Sequence, residues 1–139
     1  MLTHKKILLV EDDIDDQQFF IEALKEICPE AECSIANNGI EALAHLNNDP
    51  LLPSCIFLDI NMPYMNGFEC LTEIKKAKAY KAIPVCVLST SSNEASKTQS
   101  LQLGAASFIS KGWNLTELKL QIDEVMQKYF GGCVQLAYV

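Results

Sequence analysis

The chain has 139 residues, 49% of them apolar and 21% charged, with a formal charge of −7. That length suits one compact domain able to bury roughly two thirds of its unfolded surface. The negative charge and the absence of any Lys/Arg cluster argue against nucleic acid as a direct partner, and no segment is apolar for long enough to be a signal-peptide core or a membrane span.

Six cysteines (Cys28, Cys33, Cys55, Cys70, Cys86, Cys133) form no CxxC pair and no metal-type spacing, so they read as reduced core thiols of a cytoplasmic protein. In chain order, Lys6-Ile-Leu-Leu-Val10 is a short segment of the kind that forms a strand buried on both faces, and Glu11-Asp12-Asp13 follows it directly. From Ile14 to Ile27 the apolar residues Phe20, Ile21, Leu24 and Ile27 recur at helical spacing, and Pro29 stops the helix. Cys33–Ala36 is a weaker strand. Asn37-Asn38-Gly39 opens a second helix with apolar positions Ile40, Leu43, Ala44 and Leu46.

Between Pro53 and Pro63 lies the stretch that organises the rest. Cys55–Leu58 is continuously apolar and ends on a carboxylate, Asp59. A third helix carries Phe68, Leu71 and Ile74. Pro84–Leu88 is a fourth strand, followed by Ser89, and Ser91 with Glu94 has the form of a capping box for a helix that Gly104 stops. Ala106–Ile109 is a fifth strand, with Ser110 and Lys111 after it. Asn114 and Glu117 start the last helix, whose stripe is Leu115, Leu118, Ile122, Val125 and Tyr129, and Gly131-Gly132 ends it. Five alternations of strand and helix, with connections too long for hairpins, predict an α/β fold: a doubly wound five-stranded parallel sheet covered by helices on both faces.

In such a sheet the carboxyl ends of neighbouring strands converge on one crevice. Glu11, Asp12, Asp59, Ser89 and Lys111 would then share a pocket. Crowded carboxylates raise one another's pKa, and a hard divalent cation such as Mg²⁺ relieves that conflict; without a His or Cys placed to help, zinc does not suit the set. A cation, a lysine and a free carboxylate suit phosphoryl transfer onto Asp59, with Ser89 donating to an oxygen of the product.

The segments Ile-Leu-Leu-Val-Glu-Asp-Asp (7–13), Phe-Leu-Asp-Ile-Asn-Met-Pro-Tyr-Met-Asn-Gly (57–67), Pro-Val-Cys-Val-Leu-Ser-Thr (84–90) and Gly-Ala-Ala-Ser-Phe-Ile-Ser-Lys (104–111) resemble the receiver domain of two-component response regulators, in order and separation. The resemblance implies a flavodoxin-like receiver topology, with Asp59 as the phosphoacceptor and Lys111 as the phosphoryl-binding lysine. It implies Ser89 and Phe108 as the switch pair. It gives Mg²⁺ (or Mn²⁺) the ligands Glu11, Asp12, Asp59 and Asn61, the last through its backbone carbonyl; Asp13 falls outside the site. Ser89 and Lys111 would assist phosphorylation and dephosphorylation, which such a protein catalyses on itself without being an enzyme for a separate substrate. The implied partners are a sensor histidine kinase or a histidine phosphotransfer protein, and a downstream protein met through the fourth helix, fifth strand and fifth helix, by a monomer or a homodimer. Leu-Ser-Thr-Ser (88–91), with a lysine not followed by proline, is similar to single-domain receivers paired with bacteriophytochrome kinases; most receivers have a cis proline where this chain has Gly112.

This reading puts the receiver domain at residues 1–130 and a C-terminal tail at 131–139. Two other readings compete. An aspartyl-phosphate phosphatase or phosphotransferase would use a second Asp two residues after the nucleophile, where this chain has Asn61. A binding module that kept the fold and lost the chemistry would not be expected to retain Asp12, Asp59, Ser89 and Lys111 together.

Overall fold

The computed structural model describes residues 5–90, 93–111 and 114–131. Strands and helices alternate through β1 (Lys6–Val10), α1 (Ile14–Ile27), β2 (Glu32–Ala36), α2 (Gly39–Asn48), β3 (Cys55–Asp59), α3 (Gly67–Lys76), β4 (Val85–Ser89), α4 (Glu94–Gln102), β5 (Ser107–Ser110) and α5 (Leu115–Phe130). All pairings are parallel and the strand order is β2-β1-β3-β4-β5. The three central strands are buried along their whole length, which is why they are apolar without alternation. After β1 the chain first builds one edge and then crosses back to β3, so the crevice opens at the carboxyl ends of β1 and β3.

Successive strand residues point to opposite faces and divide the core in two. Leu8, Val10, Ile56, Leu58, Val85 and Val87 pack under α2 and α3 with Leu46, Leu71 and Ile74. Ile7, Leu9, Phe57, Cys86, Leu88 and Ile109 pack under α1 and α5 with Phe20, Leu24, Leu118 and Ile122. Phe20 and Phe57 meet edge to face at 4.9 Å between centroids, tying α1 to the central strand.

Each of the five helices begins with an Asp or Asn whose side chain accepts the backbone N–H three residues on: Asp13, Asn38, Asn66, Asn93 and Asn114. These caps satisfy N–H groups that have no partner inside the helix, and they fix where the chain turns at the functional end of the sheet. Asn66 and Glu69 form a full capping box.

Three expectations need correction. The cap of α4 is Asn93, and Ser91 lies outside the described residues. In α2 the buried positions are Gly39, Ala42 and Leu46, while Ile40 is 58% exposed. The cause is the close approach of Gly39 to Met65, where an added Cβ would sit 2.8 Å from the Met65 side chain, so the glycine face turns inward and carries Ile40 out. Finally, Cys33, Cys55, Cys70 and Cys86 are free thiols, as expected, but Cys28 at the C-cap of α1 is in a disulfide. Among the described residues no helix is long and apolar enough to cross a membrane.

Candidate functional site

β1 delivers Glu11 and Asp12 immediately beyond Val10, and β3 ends on Asp59. One carboxylate oxygen from each of the three lies within 4.8 Å of the other two. Glu11 and Asp59 are buried, whereas Asp12 faces solvent. Asp13 has a different task as the N-cap of α1, where its side chain accepts the Asp16 backbone N–H at 3.1 Å.

Burial pushes the Glu11 carboxyl up to about 7; the neighbouring charge of Asp59 adds to this, and the hydrogen bond from Lys111 only partly offsets it. Burial also raises Asp59, against the backbone N–H of Asn61, which donates to Oδ1 at 3.0 Å, and the nearby charge of Lys111. Two buried carboxyls held above their ordinary range beside a third, open one are a donor set that fits a hard divalent cation, because the cation's charge stabilises the ionised form of both and opposes the effect of burial.

Lys111 follows β5, which is two strands away from β3. Its backbone N–H donates to the Ser89 carbonyl at 2.7 Å, and its side chain passes over the end of β4 into the cluster. The ammonium lies 2.7 Å from Glu11 Oε1, 2.9 Å from Asp16 Oδ2 and 3.5 Å from Asp59 Oδ2. Burial works against this ammonium, yet the contacts with Glu11 and Asp16, with Asp59 nearby, outweigh it and leave its pKa above the ordinary value. Ser89 is the last residue of β4 and fully buried. Asp59 pairs with Leu88 in the sheet, which sets Ser89 one residue beyond the acidic strand end. Phe108 lies in β5, opposite Val87, half-buried against the α2/α3 core. Asn61 is exposed, and its side-chain oxygen is 3.5 Å from the Thr90 hydroxyl. Gly112 lies outside the described residues, so the expectation about the bond after Lys111 does too.

The fold therefore brings Glu11, Asp12, Asp59 and Lys111 together, with Ser89 and Asn61 beside them and Phe108 on the neighbouring edge strand. Sequence reasoning missed Asp16. It sits in the first turn of α1, three residues after the N-cap Asp13, and the strong Glu11-Asp12-Asp13 signal overshadowed it. Gln17 was missed as well. It is buried, and its amide donates to the Glu11 carbonyl at 2.7 Å and to Asn37 Oδ1 at 2.8 Å, fixing the backbone that carries Glu11.

The connection from β3 to α3 packs closely against the strand end that carries Asp59. An added Cβ at Gly67 would lie 2.3 Å from Ile60 Cα and 2.6 Å from the Asp59 carbonyl oxygen, so only glycine lets α3 start against this strand end. Tyr64 turns the loop with φ of 67° and projects into solvent, 85% exposed.

Comparison with known proteins places this geometry. The response regulator receiver domain matches residues 7–123. The response regulator Rcp1 of Synechocystis sp. is 39% identical over 120 residues, covering 82% of this chain and 81% of its own. The Mn²⁺-bound structure of Rcp1 superposes with a TM-score of 0.79 at 33% identity, over 94% of this chain and 99% of that one. The phosphorylated cyanobacterial phytochrome response regulator RcpA gives 0.83 at 36% identity, over 91% and 94% of the two chains. A CpxR homolog of Haemophilus influenzae, a transcriptional regulatory protein, is 34% identical over 88% of this chain, which spans about half (51%) of that longer relative. The chain belongs to the response regulator receiver domain family.

Proposed function

We propose that the protein accepts a phosphoryl group on Asp59 and signals by the change in surface that follows. One observation carries the reading: a buried carboxylate at the end of the central strand, 3.5 Å from a lysine ammonium and within 4.8 Å of two further acids. Glu11, Asp12 and Asp59 would hold Mg²⁺, with the Asn61 carbonyl as a further ligand. The cation supplies charge neutralisation for the transferring group. An Asp59 oxygen bonds to phosphorus as the bond to the donor's leaving atom breaks, and the Lys111 ammonium balances charge on the phosphoryl oxygens. A Mn²⁺-bound structure of Rcp1 and a phosphorylated structure of RcpA support both parts of the reading.

The phosphodonor is a sensor histidine kinase or a histidine phosphotransfer protein. Ser89 and Phe108 form the switch: the buried hydroxyl turns toward the phosphoryl group and the aromatic ring follows inward, altering the face of α4, β5 and α5 that meets a downstream protein. This receiver unit, residues 1–130, works in the cytoplasm as a monomer or homodimer through protein contacts, a reading supported by the net charge of −7. It turns over no separate substrate; Asn61 stands where an aspartyl-phosphate enzyme would need an acid.

The test is an intact mass after incubation with acetyl phosphate. A single phosphoryl adduct that needs Mg²⁺ and disappears in Asp59→Asn is expected. No adduct in the wild type, under conditions that label a known receiver, overturns the proposal.

A further inference from the structure

Lys111 is the residue on which the acidic cluster depends, and its contacts are uneven. Glu11 at 2.7 Å and Asp16 at 2.9 Å both lie nearer the ammonium than Asp59 does at 3.5 Å. Of these three acids, Asp16 alone stands outside the group that would hold the cation. A cation bound to Glu11, Asp12 and Asp59 takes up their charge and weakens their hold on the lysine. It leaves the charge of Asp16 untouched. A carboxylate in the first turn of a helix also has an ordinary explanation, since it opposes the positive end of the helix dipole. That explanation does not account for a side chain that crosses to a lysine 95 residues away, buried to 4% exposure, when Asp15 serves the same turn.

We infer that Asp16 is a positioning residue for Lys111: it holds the ammonium against α1 in the unphosphorylated protein and must yield it to the incoming phosphoryl group, which slows the loading of Asp59. This rests on the phosphoacceptor reading above. In the transfer itself an Asp59 oxygen bonds to phosphorus, the bond from phosphorus to the acetate oxygen of acetyl phosphate breaks, and acetate leaves. Asp16 takes no part in that exchange. Its effect is electrostatic twice over, because it competes for the lysine and adds negative charge near the path of an anionic donor.

The experiment compares wild type, Asp16→Asn and Asp16→Glu at saturating Mg²⁺. It measures the rate of labelling by acetyl phosphate and, without any transfer chemistry, the affinity for beryllofluoride as a phosphoryl analogue. Asp16 is 39% exposed, so its ion pair is partly screened and the effect is set at about two- to fivefold. Asp16→Asn should label faster and bind beryllofluoride more tightly by that factor, while Asp16→Glu returns both to wild-type values. The advantage should shrink as ionic strength rises, which a merely structural role would not produce. Wild-type labelling with an unchanged or slower rate in a folded Asp16→Asn overturns this inference alone. Absence of labelling in the wild type overturns the phosphoacceptor reading and this inference with it.

Discussion

The metal-free protein should lose stability as pH rises from about 4.5 toward 7. The group responsible is Glu11, lifted from 4.5 to about 7 chiefly by burial. Its folded pKa lies above its unfolded one, so its contribution is fully present below about 4.5 and is lost as pH climbs through the folded value. At about 1.4 kcal/mol for each tenfold in proton affinity, the full loss is of order 3 kcal/mol. For a domain of this size that corresponds to a fall of about 10 °C in Tm. Asp59, also raised, acts in the same direction. Glu41 and Asp49 are shifted downward, so they lose their contribution only at more acid pH and do not oppose the trend here. Thermal unfolding in chelator from pH 5 to 7.5 reads the slope, and Glu11→Gln should flatten most of it. Excess Mg²⁺ should offset most of it, since the cation binds the ionised carboxylates and a concentration 100 times its Kd contributes about 2.7 kcal/mol. A metal-free Tm that is flat or rises across this window would refute the argument that burial controls the cluster.

Further expectations concern the supports of the site. Gly67→Ala should destabilise by about 3 kcal/mol in urea unfolding, because its Cβ meets backbone and not a flexible side chain. It should also depress labelling of Asp59 through the shared loop. Asn66→Ala removes the cap and half of the capping box of α3, at a cost of about 1 kcal/mol by the same assay. On α5, Ile122→Ala should cost about 2–5 kcal/mol because the side chain is fully buried, whereas the exposed Leu120→Ala two residues earlier should stay within about 0.5 kcal/mol. Equal costs at 120 and 122 would mean the helix presents a different face to the sheet.

Much of this protein was legible in one dimension because its signals are local. The runs Ile7–Val10 and Cys55–Leu58 declare strands buried on both faces, since no polar residue interrupts them. The Asn residues at 38 and 114 mark the starts of α2 and α5 where they fall. An acid at the end of such a strand, followed by a loop, already places Asp59 in a crevice. Elsewhere the sequence misled: Ser91 with Glu94 has the form of a capping box although the cap is Asn93, and Ile40 looked more like a core residue than Gly39 does. Packing reversed the second choice, because the absence of a side chain at Gly39 makes room for Met65, a contact between segments 26 residues apart.

The contacts that set the site's electrostatics were beyond sequence alone. Three consecutive acids at 11–13 look alike, yet the fold buries Glu11, leaves Asp12 open and turns Asp13 into a helix cap. That Lys111 reaches past β4 to Asp59, and that Asp16 intercepts it, depends on strand order and on the crossing of α1 over the sheet. Residue type and spacing determine which chemical groups line the ends of the strands. Only tertiary structure decides how dry each group is and which opposite charge it meets first, because both depend on atoms contributed by distant parts of the chain.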